Sequence, residues 1–369
     1  MQTGRSKALS MLIQTGKEAG YSHLVLENGR KKSSLSSKEE NLCMFLYRGV
    51  LERKITLDYR LAPYLNPKNP PQEEAMWLLR LGLFQILYAP RIPDHVAVSQ
   101  TAEAAKKAGY PRLVGLCNGV LRAFLRDGGA KSEKLPDDPV ERISILGSLD
   151  KSLARLLFSQ MGEEKLTAYL LRSFEKKPVW FRVNLLKISE ENCYQKLEEA
   201  GFSVEKGPLF ASFTTPDTAA LIHHCVFTDG LVFVQDLAAQ MAAAALGAEV
   251  GDLVADVCAA PGTKTVALAG MMANKGEILA GELHPHRLAK LKEAAEKMGA
   301  LIIHPVCRDA SLASEEEKDA WDKVLVDAPC SGLGTLAGNP KSAGRAPNRS
   351  AFWRKSNKKS CIHLPSVLK

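Results

Sequence analysis

The chain has 369 residues, 46% hydrophobic and 24% charged, with a net charge of +8, which is enough for two or three packed domains. Its apolar runs, at residues 78–89 and 240–247, fall short of the roughly 20 residues a membrane span needs. Residues 1–14 lack the apolar stretch and small-residue cleavage site of a secretory signal, so neither a membrane span nor a secretory signal is predicted and a cytoplasmic protein is expected.

The eight cysteines form no Cys-x-x-Cys pair, so neither a metal site nor a disulfide framework is predicted. Charge is unevenly spread. Residues 1–140 carry 21 Lys and Arg against 14 Asp and Glu, residues 141–340 carry 20 against 27, and residues 341–369 carry 8 against none. The N-terminal excess suits contacts with phosphate.

Residues 40–127 read as helical, with apolar residues at three- and four-residue spacing in Leu42, Phe45, Leu46 and Val50, then in Met76, Leu79, Leu83, Ile86 and Leu87. Asn69, Pro70 and Pro71 break the chain before the second run; a helix follows over 94–107 with Asp94 at its start, and Gly109 and Pro111 separate it from a last one over 113–125. Residues 131–139, polar and with two prolines, form a linker. Helices are expected over 139–160 and 163–176, then a strand over 179–184, a helix over 189–200 and a strand over 202–205, together a small α+β subdomain.

From residue 232 helices and strands alternate. Helices are predicted at 237–246, after Gly262 and at 285–298, and strands at 253–257, 277–280, 301–306 and 323–326. Strands separated by helices imply a parallel, doubly wound α/β sheet of the Rossmann-like kind.

Three strand ends carry the chemistry. The first strand runs into Cys258-Ala259-Ala260-Pro261-Gly262-Thr263-Lys264, a turn of small residues leading to a helix, which suits close approach of a cofactor. It matches neither the Gly-x-x-x-x-Gly-Lys nor the Gly-x-Gly-x-x-Gly arrangement. At the end of the second strand Glu282 sits where a carboxylate holds ribose hydroxyls, and Asp309 follows the third strand in the same way. The fourth leads into Asp327-Ala328-Pro329-Cys330-Ser331-Gly332, which places a thiol beside the first loop. Carbon 5 of cytosine is a poor nucleophile; a thiolate added at carbon 6 makes it enamine-like, and a second group must then remove the carbon 5 proton.

Residues 256–265 and 327–334 resemble the cofactor loop and the Asp-Ala-Pro-Cys-Ser-Gly motif of the RsmB/Sun family of ribosomal RNA cytosine 5-methyltransferases. Residues 79–89, 91–98 and 118–122 resemble that family's NusB-like RNA-binding domain, and the likeness covers about residues 40–340. It implies an all-α NusB-like domain at 1–135, linker helices and an α+β subdomain at 136–230, a partial methyltransferase domain at 231–340 and a basic tail at 341–369. It further implies that Cys258, Ala259, Ala260, Pro261, Gly262, Thr263 and Lys264 line the methionine part of S-adenosylmethionine, with Glu282 on the ribose, Asp309 at the adenine end and Asp327 on the cofactor or cytosine side. The implied partner is small-subunit ribosomal RNA, and the enzyme is expected to be a monomer without metal.

By the same resemblance Cys330 matches the cysteine that assists product release, while the family's nucleophile lies in a later Thr-Cys-Ser strand. No Thr-Cys-Ser occurs in this sequence, and the family pattern is read as ending after Pro340, as truncation or a shifted reading frame would leave it. The expectation is a chain that binds but does not turn over. Two other readings are kept: a non-catalytic RNA-binding protein using its helical domain alone, and an amino-group methyltransferase. The second is disfavoured because Ala328-Pro329-Cys330-Ser331 is not the Asn/Asp-Pro-Pro-Tyr that holds a planar nitrogen.

Overall fold

The computed structural model describes residues 2–17, 25, 35–129, 134–175, 177–312 and 320–329. Two compact units divide between Glu175 and Lys176. None of the described helices is long and apolar enough to cross a membrane.

The first unit is helical: α1 (Gly4–Lys17), α2 (Ser37–Glu52), α3 (Lys54–Leu61), α4 (Glu73–Tyr88), α5 (Asp94–Lys107), α6 (Val114–Arg126), α7 (Pro139–Gly147), α8 (Lys151–Met161) and α9 (Glu163–Ser173). Helix α4 is its centre. Leu78, Leu79, Leu81 and Leu83 are buried around its circumference, because α1, α2, α5 and α6 enclose it. Gly49 lets α2 approach closely, since the Phe84 ring occupies the space a Cβ would need. Among the described residues, the buried cations of this unit, Lys7 and Arg80, are paired. Arg80, 3% exposed, donates to Asp58 at 2.6 and 3.1 Å and to Glu73 at 2.9 Å.

Two expectations change here. The helix expected over 139–160 is interrupted: Ser148 takes a left-handed φ of 51°, and Asp150 starts α8 by accepting from the Ser152 amide at 2.9 Å. Secondly, the division falls at Glu175 rather than near residue 135, so the helices after the linker belong with the first unit. Thr56 donates to the Ile145 carbonyl at 2.5 Å, the Ile55 amide donates to Ser148 Oγ at 3.0 Å, and Arg53 lies against the rings of Tyr88 and Phe174.

The second unit opens with β1 (Trp180–Val183), α10 (Glu190–Glu199), β2 (Glu205–Lys206), β3 (Ser212–Thr214), α11 (Thr218–Leu221), α12 (Cys225–Thr228) and β4 (Val232–Val234). These strands form an antiparallel sheet in the order β2-β3-β1-β4. The strand expected over 202–205 is shifted, because the Phe202 amide closes the end of α10 on the Leu197 carbonyl at 2.9 Å. One face of the sheet, through Phe181, Val183 and Phe213, packs on α10 and its neighbours.

Next come α13 (Leu237–Leu246), β5 (Leu253–Asp256), α14 (Thr263–Met271), β6 (Glu277–Glu282), α15 (Pro285–Met298), β7 (Ile303–Cys307) and β8 (Lys323–Leu325). The four strands are parallel in the order β7-β6-β5-β8. The first and fourth of these strands in sequence are therefore neighbours, and the sheet reverses its winding between β5 and β8, where α/β folds bind ligands.

Candidate active site

The carboxyl end of β5 delivers Asp256, which is 1% exposed. Its Oδ2 accepts from the Thr265 hydroxyl at 2.8 Å, while its Oδ1 has no hydrogen-bond partner among the described residues. Burial pushes this carboxyl up to about 6, opposed by the bonds from Thr265 and the Cys258 amide. The turn that follows holds a cis Ala260–Pro261 peptide and then Gly262 at φ +105°. Only glycine fits comfortably there, since a Cβ would meet Leu291 at 3.1 Å. Cys258 is half-buried; burial first, then the charges of Asp256 and Glu282, push its thiol up to about 11.

Glu282 at the end of β6 is 3% exposed. It accepts from the His284 amide at 3.0 Å and pairs with Arg287 at 3.0 Å. Arg287, in the first turn of α15, also donates to the Ala260 carbonyl at 2.7 Å, so one guanidinium ties the second strand end to the first loop. Asp309, beyond β7, is exposed; its Oδ1 accepts from the Ser311 amide at 2.9 Å and the Ser311 hydroxyl at 2.7 Å, bonds that hold the carboxyl below its ordinary value. Past β8, Asp327 meets Lys264 at 2.5 Å. This ion pair joins the two motif loops across the point where the winding reverses. Cys330 lies outside the described residues.

Sequence reasoning did not assign Arg287, Thr265 or Gln235. Gln235, 2% exposed, donates to the Thr263 carbonyl at 3.1 Å and so braces the cofactor loop from the small sheet. Arg287 had a readable signal: a basic residue one turn into the helix that follows a strand-end acid.

Comparison with known proteins bears on this arrangement. Residues 243–358 match a family model of the 16S rRNA methyltransferases RsmB/F, and residues 2–126 match the NusB family. A probable ribosomal RNA small subunit methyltransferase B of Bacillus subtilis is 33% identical over 337 residues, 91% of this chain and 75% of the relative. The chain belongs to the RsmB/F family.

A Synechocystis relative named likewise is 30% identical over 347 residues, 92% of this chain and 77% of its own length. Among solved structures, the crystal structure of PH0851 superposes with a TM-score of 0.76 at 21% identity, covering 100% of this chain and 84% of its own, which shows the fold. A methyltransferase homolog protein from Pyrococcus horikoshii has a TM-score of 0.57 at 26% identity, over 63% of this chain and 74% of its own. The RsmB/F match takes in both motif loops and so favours a methyltransferase over a helical RNA-binding protein alone. It also runs past Pro340 to residue 358, beyond the point where the family pattern was expected to end.

Proposed function

We propose that this chain binds S-adenosylmethionine at the ends of β5 and β6 and directs its methyl group to carbon 5 of a cytosine in 16S small-subunit ribosomal RNA. The observation that carries the reading is the Lys264–Asp327 ion pair, which brings the cofactor loop and the loop that leads to Cys330 together on adjacent parallel strands. The residues fit the cofactor. A turn of small residues lets its backbone approach a ligand, Glu282 is a buried carboxylate at the ribose position, and Asp256 holds one oxygen in reserve.

In this reading Cys258, Ala259, Ala260, Pro261, Gly262, Thr263 and Lys264 line the methionine part, Glu282 takes the ribose hydroxyls and Asp309 the adenine end. When bound, the cofactor supplies an electrophilic methyl group. Arg287 keeps Glu282 aligned with the loop, and Lys264, through its ion pair, holds Asp327 oriented toward the cofactor or the base. Cys330, by its motif, assists product release after a second thiol has added to carbon 6. The helical unit, NusB-like and basic in sequence, grips RNA phosphates. The reading carries with it a cytoplasmic monomer.

The test has two readouts on the full chain. S-adenosylhomocysteine at about 100 times its Kd adds about 2.7 kcal/mol of stability, seen as a rise in melting temperature of several degrees. A ribosomal RNA fragment containing cytosine binds in a gel-shift assay. No thermal shift and no RNA retention together sink the proposal. Mass spectrometry for 5-methylcytosine in that RNA then reports turnover.

A further inference from the structure

Two arginines of this chain are almost equally buried and differently treated. Arg80 is 3% exposed and Arg182 is 5% exposed. Arg80 has two carboxylates. Arg182 has no ion pair among the described residues, and its Nη1, shielded from solvent, has no hydrogen-bond partner among them. An uncompensated buried cation costs several kcal/mol, a penalty that packing alone does not require, because an apolar side chain of the same volume would avoid it.

Its position says what the charge is for. In β1 Arg182 pairs with Ser212 of β3 and Phe233 of β4, so these three side chains share the sheet face opposite Phe181 and Val183. Gln235, two residues beyond Phe233, continues that face and bonds the Thr263 carbonyl in the cofactor loop. Arg182 therefore sits on the side of the small sheet that adjoins the candidate active site. That site is otherwise acidic, with Asp256, Glu282, Asp309 and Asp327, and its cations Lys264 and Arg287 are committed to Asp327 and Glu282. A polyanion approaching it meets repulsion unless an uncommitted cation lies close beneath its path.

We infer that Arg182 receives a backbone phosphate of the RNA strand next to the target cytosine. The inference rests on the proposed function and deepens it by naming a residue that holds the substrate strand. The guanidinium offers a rigid fork of donors to phosphate oxygens, and bound phosphate supplies the charge that the protein leaves out. Arg182 is in this sense a binding residue kept at the expense of stability.

The experiment compares wild type, Arg182→Met and Arg182→Lys in the full chain. It measures affinity for a cytosine-containing RNA oligonucleotide across salt concentrations, affinity for S-adenosylhomocysteine, and melting temperature without ligand. For Arg182→Met, RNA affinity falls roughly tenfold, the slope of log affinity against log salt shrinks by about 0.7, S-adenosylhomocysteine binds as before, and the melting temperature is unchanged or raised. Arg182→Lys retains the salt slope because it keeps the charge. A lowered melting temperature with RNA affinity intact would make Arg182 a packing residue and overturn the inference. Loss of S-adenosylhomocysteine binding with RNA affinity intact would overturn it in favour of the cofactor carboxylate. Wild type that binds no RNA sinks the functional reading and this inference with it, whereas wild-type binding that Arg182→Met leaves unchanged sinks this inference alone.

Discussion

The helical unit and the methyltransferase unit handle buried polarity in opposite ways. Among the described residues, the helical unit leaves only Trp77 Nε1 buried without a hydrogen-bond partner, and even there the Arg80 guanidinium lies 4.3 Å from the ring. The methyltransferase unit leaves Arg182 Nη1, Ser212 Oγ, Gln235 Oε1, Gln240 Oε1 and Asp256 Oδ1. These gather on the small sheet, on α13 behind it and at the end of β5. A scaffold satisfies its own groups, since each orphan costs about 1 to 3 kcal/mol; a site holds some in reserve for what it binds. The contrast teaches where binding energy is stored.

The largest break in this comparison is expected in the helical unit. Arg80→Ala removes the buried guanidinium shared by Asp58 and Glu73, leaving Asp58 only Lys54, and should cost about 3 kcal/mol in urea unfolding, whereas Arg182→Met costs nothing; equal losses at the two arginines would erase the distinction. Glu282→Ala should weaken S-adenosylhomocysteine by about 2 kcal/mol, or roughly thirtyfold by calorimetry, and leave Arg287 without its carboxylate. Gly262→Ala forces a side chain into the left-handed region and against Leu291, at about 1 to 2 kcal/mol of stability.

A subtler test is electrostatic. Because the folded chain holds Asp256 at about 6, raised by burial above its ordinary 3.8, the folded state binds the proton more tightly than the unfolded one. Asp256 therefore makes stability fall as pH rises from about 4 to 6. Asp256→Asn should remove that part of the slope, and a wild-type and variant difference that stays flat over this window would contradict it. Smallest of all, Cys258, held up to about 11, should be alkylated by iodoacetamide at pH 8 more slowly than exposed Cys225, as peptide mass mapping would report.

Legibility in the sequence followed locality. Helices α13 and α15 were readable to the residue, since Asp236 caps the first through the Ala238 amide and Gly299 ends the second in a left-handed turn. Helix α1 was not read at all. It opens with Arg5 and Lys7, the wrong charges for a helix N-terminus, and what compensates them comes from afar: Glu39 accepts from the Gly4 amide, Glu40 pairs with Lys7, and Gln85 accepts from Arg5. Likewise β3 and β4 are only three residues each, too short to show a period, and exist through pairing with β1. At the site, the strand-end acids and the small-residue turn were legible because they are contiguous. Arg182 was hidden because its meaning is an absence of partners, which no linear pattern states.

The placement of β5 between β6 and β8 has a consequence during synthesis. The Leu253 amide finds its acceptor in Asp322, 69 positions later, and Asp256 pairs across to Leu325. As the chain leaves the ribosome, one rim of β5 thus stays bare while the intervening helices and strands emerge, a template for mispairing with a neighbouring nascent chain. The cofactor loop is spelled out early, but the strand that flanks it comes 69 positions later.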